Sequence, residues 1–296
     1  MAQKPCLSII TVSRNSEATI ERAIESVLNQ TYDNIEYIII DGNSTDRTNE
    51  LIEQYDDRLS AYINEPDDGI FFAMNKGVKQ ATGDFIYFLN SDDFFVDNRV
   101  LEDVARFIRD VPDCELIYGN IEARDNKGNN WLLTSPPPEE ILKTLVSGAM
   151  HHQATFASKQ VFTKVGLFEE KFNSVGDYEW WLRVASEPKI NKKYFNRTIA
   201  SYFVGGKSSN IEMALNEMFE VQNNAEIYQS DYWLHKRISI YQDILRSPNG
   251  HWGLYRQENS KGQTENGLCS LINEFKRSLL NLKKQTRHIP RNIFRF

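Results

Sequence analysis

Two adjacent carboxylates, Asp92 and Asp93, follow the mostly apolar run Asp84 to Leu89 by way of Asn90 and Ser91. Like charges this close raise each other's pKa unless a positive charge lies beside them. A hard divalent cation supplies that charge and can bridge carboxylate oxygens to a diphosphate. The same four residues also suit an exposed turn in which Asp92 or Asp93 caps the next helix. A second cluster, Asp41-Gly42-Asn43-Ser44-Thr45-Asp46, ends the run Ile35 to Ile40. Asp41 there can accept hydrogen bonds from a base or a ribose, or the cluster can simply shape a turn and cap a helix. Asp177 and Glu179 lie two residues apart beyond Gly176. A carboxylate facing a bound donor can take a proton from an acceptor hydroxyl, as a general base whose pKa is tuned toward the working pH. Helix capping by Asp177 and a solvated Glu179 are the plainer reading.

Weaker candidates surround these. Asp67 and Asp68 precede a helical stretch and suit either a nucleotide contact or a cap. His151 and His152 are the one histidine pair, and neighbours in an extended segment face opposite ways, so one turns to the cleft and the other to the core. They make a poor shared metal site. Trp180 and Trp181 divide between core and cleft, where one ring could border an acceptor sugar; packing explains both equally well. Two nucleotide signatures fail. Ser13-Arg14-Asn15 stands where a G-x-G-x-x-G would follow the first strand, and Gly205-Gly206-Lys207-Ser208 lacks the upstream glycine of a P-loop.

The elements that must carry these residues read as alternating strands and helices. Short β-branched or aromatic runs at Leu7 to Val12, Ile35 to Ile40, Leu59 to Ile63, Asp84 to Leu89 and Glu115 to Tyr118 read as buried strands. Helical spacing occupies Glu17 to Leu28, Thr48 to Tyr55, Phe71 to Lys79 and Val100 to Ile108. That order predicts an α/β fold with a mostly parallel sheet covered by helices. Ligands in such sheets sit beyond the carboxyl ends of the strands, where the polar clusters fall. Further on, Ile121 to Leu133 suggests a hairpin, Ser135 to Pro138 a stiff connector, Ile141 to Val146 a short helix, and Ile211 to Tyr228 a longer one. Asp177 reads as the N-cap of an amphipathic helix.

The chain has 296 residues, 41% apolar and 25% charged, with a net charge of -7, which does not suit a nucleic-acid binder. Three cysteines without a paired spacing suggest a reducing cytoplasm. Residues 271–296 hold seven lysines and arginines against Glu274 alone. Leu268, Ile272, Phe275, Leu279 and Leu282 form an apolar stripe beside them. Such a tail suits an anionic membrane surface, docking on the catalytic domain, or pairing with a second copy as a homodimer. The expected division is a catalytic domain over 1–232, with a nucleotide-binding half to about 120 and an acceptor-side half beyond it. A helical basic extension then covers 233–296.

The clusters, taken in order, resemble the family 2 glycosyltransferases, most closely their bacterial surface-polysaccharide branch. The matching stretches are Leu7 to Asn15, Tyr37 to Asp46, Asp84 to Asp93, His152 to Phe156, Gly166 to Glu170 and Asp177 to Arg183. The resemblance implies a GT-A, Rossmann-like fold and an inverting transfer from a nucleotide-sugar, usually a UDP-sugar, to a glycan or lipid-linked acceptor. It implies that Asp41 contacts the base, that Thr11, Ser13 and Asn15 line the nucleotide floor, and that Arg14 reaches the diphosphate. Asp92, with Asp93 beside it, is implied as the Mn²⁺ or Mg²⁺ ligand of a D-x-D element, and Asp177 as the general base. Asn90 departs from that pattern, where it can hydrogen-bond a ribose but brings no charge. Asp68 and Ser91 join the donor side; His152, Glu179, Trp180, Trp181 and Lys207 are acceptor-side or diphosphate candidates, although Lys207 equally suits a solvated role. The location implied is the cytoplasm, at the inner face of the membrane if the tail binds it. The rival readings are a sugar-nucleotide pyrophosphorylase, disfavoured by the absence of glycine after Val12, and a non-catalytic nucleotide- or glycan-binding scaffold.

Overall fold

A computed structural model describes residues 4–205, 211–246 and 277. Lys207 and the apolar stripe from Leu268 to Leu282 lie outside the described residues. The chain forms two compact units. One comprises Met1–Leu142 with Met150–Val204; the other comprises Lys143–Ala149 with Gly205–Phe296.

The first unit is built on a nine-stranded sheet. Its first half is parallel. The strands β1 (Leu7–Ser13), β2 (Ile35–Asp41), β3 (Ala61–Asn64) and β4 (Phe85–Phe88) stand in the order β3-β2-β1-β4. Every residue of β1 and β4 is buried, as expected of strands covered on both faces. The crossovers are the helices α1 (Ile20–Leu28), α2 (Thr48–Glu53) and α3 (Ile70–Gln80). Helix α1 buries Ile20, Ala23, Ile24 and Val27, one face at helical spacing.

The second half corrects the expectation of a mostly parallel sheet. A two-residue strand β5 (Phe94–Phe95) and helix α4 (Val100–Asp110) lead into β6 (Leu116–Arg124) and β7 (Asn130–Leu133), the expected hairpin. The short helix α5 (Ile141–Ser147) comes next, then β8 (Thr155–Ser158). Strand β8 lies antiparallel between β4 and β6. A long strand, β9 (Lys192–Phe203), runs parallel to β6 and antiparallel to β5. Four of the eight pairings are therefore antiparallel. The reason lies in the hairpin: β7 runs back along Ile121–Arg124 of β6, and β8 runs in the same direction along Leu116–Tyr118 of the same edge, which sets it against β4.

Helices α6 (Lys159–Val165) and α7 (Gly176–Ser186) complete this unit. Its core is aromatic where the two halves of the sheet meet. Tyr87 of β4 stacks on Phe156 of β8 at 4.4 Å and on Phe95 of β5 at 5.1 Å. Within the second unit are α8 (Ile211–Asn224) and α9 (Asp231–Arg246). Gln222, fully buried, donates to the carbonyls of Leu145 and Val146 at the end of α5. Buried Arg237 donates to Asn223 Oδ1 at 2.7 Å and lies over the Tyr228 ring. Among the described residues, no helix is long and apolar enough to cross a membrane.

Phe156 is fully buried at the junction of the parallel and antiparallel halves. Truncating Phe156→Ala removes its stacking partner for Tyr87 and leaves a cavity, and is expected to cost about 3–5 kcal/mol. Urea denaturation followed by fluorescence measures it; a loss under about 1 kcal/mol would show that the junction is not cooperatively packed.

Candidate active site

Strands β1, β2 and β4 end side by side, and their following loops converge. Asp41 at the end of β2 is fully buried. Its Oδ2 accepts from the hydroxyls of Ser13 and Ser44, each at 2.7 Å, and its Oδ1 accepts from the Ser44 backbone N–H at 2.7 Å. Asp41 thus ties the loop after β1 to the loop after β2. Thr11, also buried, shares a 3.1 Å hydrogen bond with the Tyr37 hydroxyl. Asn15 and Asn43 both adopt positive φ, at 52° and 57°. Short polar side chains tolerate that region better than others. Asn15 N–H donates to Ser44 Oγ and its Oδ1 accepts from Thr45 N–H, closing the two loops on each other. Just ahead of α2, Asp46 Oδ1 accepts from the backbone N–H and hydroxyl of Thr48.

Of the carboxylate pair before α3, Asp67 is the inward one and Asp68 is exposed. A Cβ built on Gly42 would lie 2.5 Å from Asp67 Oδ2 and 3.4 Å from Arg14 Cδ. Glycine leaves room there for the Asp67 carboxylate to lie against the backbone after β2, with Arg14 beside that glycine. Arg14 itself is exposed.

The loop after β4 is a turn in which Asp93 N–H donates to the Asn90 carbonyl at 3.0 Å. Ser91 Oγ bonds Ser16 Oγ at 2.8 Å, joining this loop to the one after β1. Asp92 is partly exposed, and burial pushes its carboxyl up, opposed by Arg124, His152 and Arg22. Asp93 is 1% exposed, and burial first, then the Asp92 charge, push its carboxyl well up. Its Oδ1 accepts from the Phe203 N–H at 3.0 Å, so that oxygen serves the fold. Two arginines back the loop. Arg22 and Arg124 both donate to the Asp92 carbonyl, and both lie over the Phe94 ring, at 4.2 and 4.9 Å.

Asp177 stands in the first turn of α7, but Val175 is the N-cap and Asp177 is not. Its side chain turns instead to His152, with Oδ2 2.8 Å from Nδ1. The other ring nitrogen, Nε2, is 3.2 Å from Asn90 Nδ2. Asn90, His152 and Asp177, separated by 62 and 25 residues in the chain, therefore form one continuous contact. Three further candidates, Glu179, Trp180 and Trp181, make contacts within the protein, and Lys207 lies outside the described residues. Glu179 pairs through both oxygens with Arg183, whose guanidinium also donates to the carbonyls of Val165 and Leu167. Trp180 and Trp181 are 3% and 0% exposed; Trp180 stacks on Phe162 and Trp181 meets Tyr118 edge-on. Neither ring is left to face a sugar. Both lie on the core face of α7, whose inward side is wide enough to take adjacent bulky residues.

Residues outside the sequence candidates hold this site in place. Asn75, 2% exposed on α3, receives the Phe168 N–H and donates to the Phe168 carbonyl and to Glu170. It pins the segment ahead of α7. A polar residue on the apolar face of α3 was the available signal. Arg22 and Arg124 had none, because nothing local marks a side chain that reaches a distant carbonyl.

A divalent cation at the loop after β4 can be tested against the donor set. Among the described residues, no three His, Cys, Asp or Glu side chains gather so as to hold a metal ion. The loop does offer the Asp92 carboxylate and two buried oxygens without a protein partner, Asn90 Oδ1 and Asp93 Oδ2. That set fits a cation that draws its remaining ligands from phosphate and water, as Mg²⁺ commonly does, and does not fit an all-protein cage.

The model of Glycosyl transferase family 2 matches residues 8–168, more than half of the chain. The chain belongs to that family. A PGL/p-HBAD biosynthesis glycosyltransferase of Mycobacterium tuberculosis is 28% identical over 209 residues, covering 70% of this chain and 80% of the relative. An uncharacterized glycosyltransferase of Haemophilus influenzae is 29% identical over 249 residues, covering 83% of this chain and 96% of the relative. Among solved structures, Staphylococcus aureus TarS 1–349 with UDP-GlcNAc superposes with a TM-score of 0.63 at 17% identity, over 97% of this chain and 82% of that one. The mannosyltransferase PcManGT of Pyrobaculum calidifontis, with GDP-Man and Mn²⁺, gives 0.62 at 12% identity, over 99% and 88%. These two likenesses show a shared α/β fold.

Gly176 sets where α7 begins. A Cβ there would lie 2.7 Å from two carbons of the Phe71 ring on α3. Gly176→Ala is expected to cost about 1–3 kcal/mol through overpacking. Adding Phe71→Leu should recover part of the loss in a double-mutant cycle read by urea midpoint. Strictly additive losses would show that the contact does not hold α7 in place.

Proposed function

We propose that this family 2 enzyme transfers a sugar from a nucleotide-sugar, most readily a UDP-sugar, to a hydroxyl of a glycan or lipid-linked acceptor, with inversion at the anomeric carbon. One observation carries the reading. The carboxylate of Asp177 is brought within a single histidine of the loop that bears Asn90 and Asp92. A proton acceptor and a diphosphate-side loop then share one place, although α7 and β4 are far apart in sequence.

The loops after β1 and β2 supply the nucleotide side. Asp41 keeps those loops closed, and Thr11, Ser13, Asn15, Arg14 and Asp67 lie at or beside the floor they make. Asp68, exposed, stands one residue further out. Asp92 would hold a divalent cation, with Asn90 Oδ1 and Asp93 Oδ2 as the neighbouring oxygens. Bound there, a cation supplies counter-charge to the leaving diphosphate. Asp177 accepts the proton of the acceptor hydroxyl as that oxygen bonds to the anomeric carbon. The bond from that carbon to the diphosphate oxygen breaks, and nucleoside diphosphate leaves from the opposite face. A single displacement inverts the centre, so the carboxylate acts as base and not as nucleophile.

The test begins with UDP-, GDP- and TDP-sugars, screened with and without Mn²⁺ for binding by calorimetry and for slow hydrolysis. Asp177→Asn is expected to lower turnover by about 10²-fold or more and to leave donor binding within about twofold. Asp92→Ala is expected to weaken Mn²⁺-dependent binding as well. Undiminished turnover in Asp177→Asn would remove that residue from the chemistry. Failure of every donor to bind or react would favour the scaffold.

A further inference from the structure

We infer that His152 is the positioning residue of Asp177, and that Asn90 selects the histidine tautomer that does the positioning. The inference rests on the reading of Asp177 as base. An ionised carboxylate only accepts hydrogen bonds. His152 Nδ1, 2.8 Å from Asp177 Oδ2, must therefore carry a hydrogen. A neutral imidazole then has a bare Nε2, which needs a donor. The amide nitrogen of Asn90 stands at 3.2 Å to give one. An ionised aspartate at position 90 could not make that donation. The asparagine that departs from the D-x-D pattern is thus matched to the ring it meets.

The surroundings agree. Asn90 Oδ1 is buried without a protein partner, so the amide is oriented by its nitrogen. Asp177 Oδ1 accepts from the Tyr178 N–H at 2.8 Å, so both oxygens of the carboxylate are held. His152 and Asp177 side chains are 16% and 22% exposed, enough for a substrate to reach and too little for water to dominate the pair. Holding both oxygens reduces the rotation a free carboxylate would have, which is the entropic part of placing a base against a bound hydroxyl. The chain of contacts also makes the base sensitive to the donor side, because Asn90 lies in the same turn as Asp92.

Two measurements test this on the full chain. In histidine-labelled protein at neutral pH, long-range ¹⁵N–¹H correlation should show His152 as the Nδ1–H tautomer, with His152→Asn identifying its signals. An Nε2–H tautomer overturns the inference. The second measurement uses whichever of UDP-GlcNAc or GDP-mannose the wild type hydrolyses with Mn²⁺. An asparagine amide nitrogen overlays Nδ1 and a glutamine amide nitrogen overlays Nε2. His152→Asn should keep most of kcat, whereas His152→Gln and His152→Ala should lower kcat by about tenfold or more with the donor KM within about twofold. A glutamine variant as active as the asparagine one, or an effect confined to KM, overturns it. If Asp177→Asn is inactive while His152→Gln is fully active, this inference alone fails. If Asp177→Asn is fully active, the base assignment fails, and the tautomer still decides whether the pairing exists.

Discussion

The antiparallel seat of β8 beside β4 is the constraint on which the site depends. Phe85, Ile86 and Tyr87 pair with Ser158, Ala157 and Phe156. Continuing that register past the end of β4 brings Asn90 opposite Gln153, next to His152. Had β8 run parallel to β4, as the rest of that half does, His152 would start at the far end of the sheet. The stacked rings of Tyr87 and Phe156, both fully buried, hold this register. A slip of one residue would turn Phe156 to the opposite face of the sheet and part the two rings, and the loss of that stacking resists the slip. Packing in the sheet and placement of the histidine are therefore one fact seen at two levels.

The loops after β1 and β2 use a different device. Asp41 is a fully buried carboxyl, and it is tolerated because three donors converge on it. Those donors come from two loops, so solvating the carboxylate and closing the loops are the same act. Removing either serine hydroxyl leaves the carboxylate short of a partner, at about 1–3 kcal/mol. The positive φ at Asn15 and Asn43 belongs to the same closure. The backbone doubles back there to bring N–H groups onto Ser44 Oγ and Asn15 Oδ1.

Much of the first half was legible because its signals are local. Strands β1, β2 and β4 are short apolar runs ending in polar clusters, and α1 shows helical spacing over four buried positions. Strand β9 escaped because Lys192 to Arg197 is charged and polar and only Ile199, Ala200 and Ser201 are buried. Asp92, His152 and Asp177 were each identifiable by type, yet their grouping was not, since it follows from an antiparallel register that no window of sequence contains. For the same reason Asp177 read as a cap: a carboxylate in a first turn normally has no better partner, and here His152 supplies one. For the tryptophans the residue type left core and cleft equally open. The wide inward face of α7 takes both into the core.

The state of their oxygens distinguishes the loop after β4 from Asp41 and Glu179. Asp41 and Glu179, both carboxylates at loop or helix ends, have their oxygens engaged by the protein. Asn90 Oδ1 and Asp93 Oδ2, a few residues from the half-buried Asp92, are buried and have no protein partner. Leaving a buried acceptor unpaired costs about 1–3 kcal/mol, so a fold retains one where something else completes it. Two such atoms in one turn, beside a carboxyl that burial drives toward its neutral form, describe a place short of positive charge. Arg22 and Arg124 answer that shortage only in part. They donate to the Asp92 backbone carbonyl and not to its carboxylate.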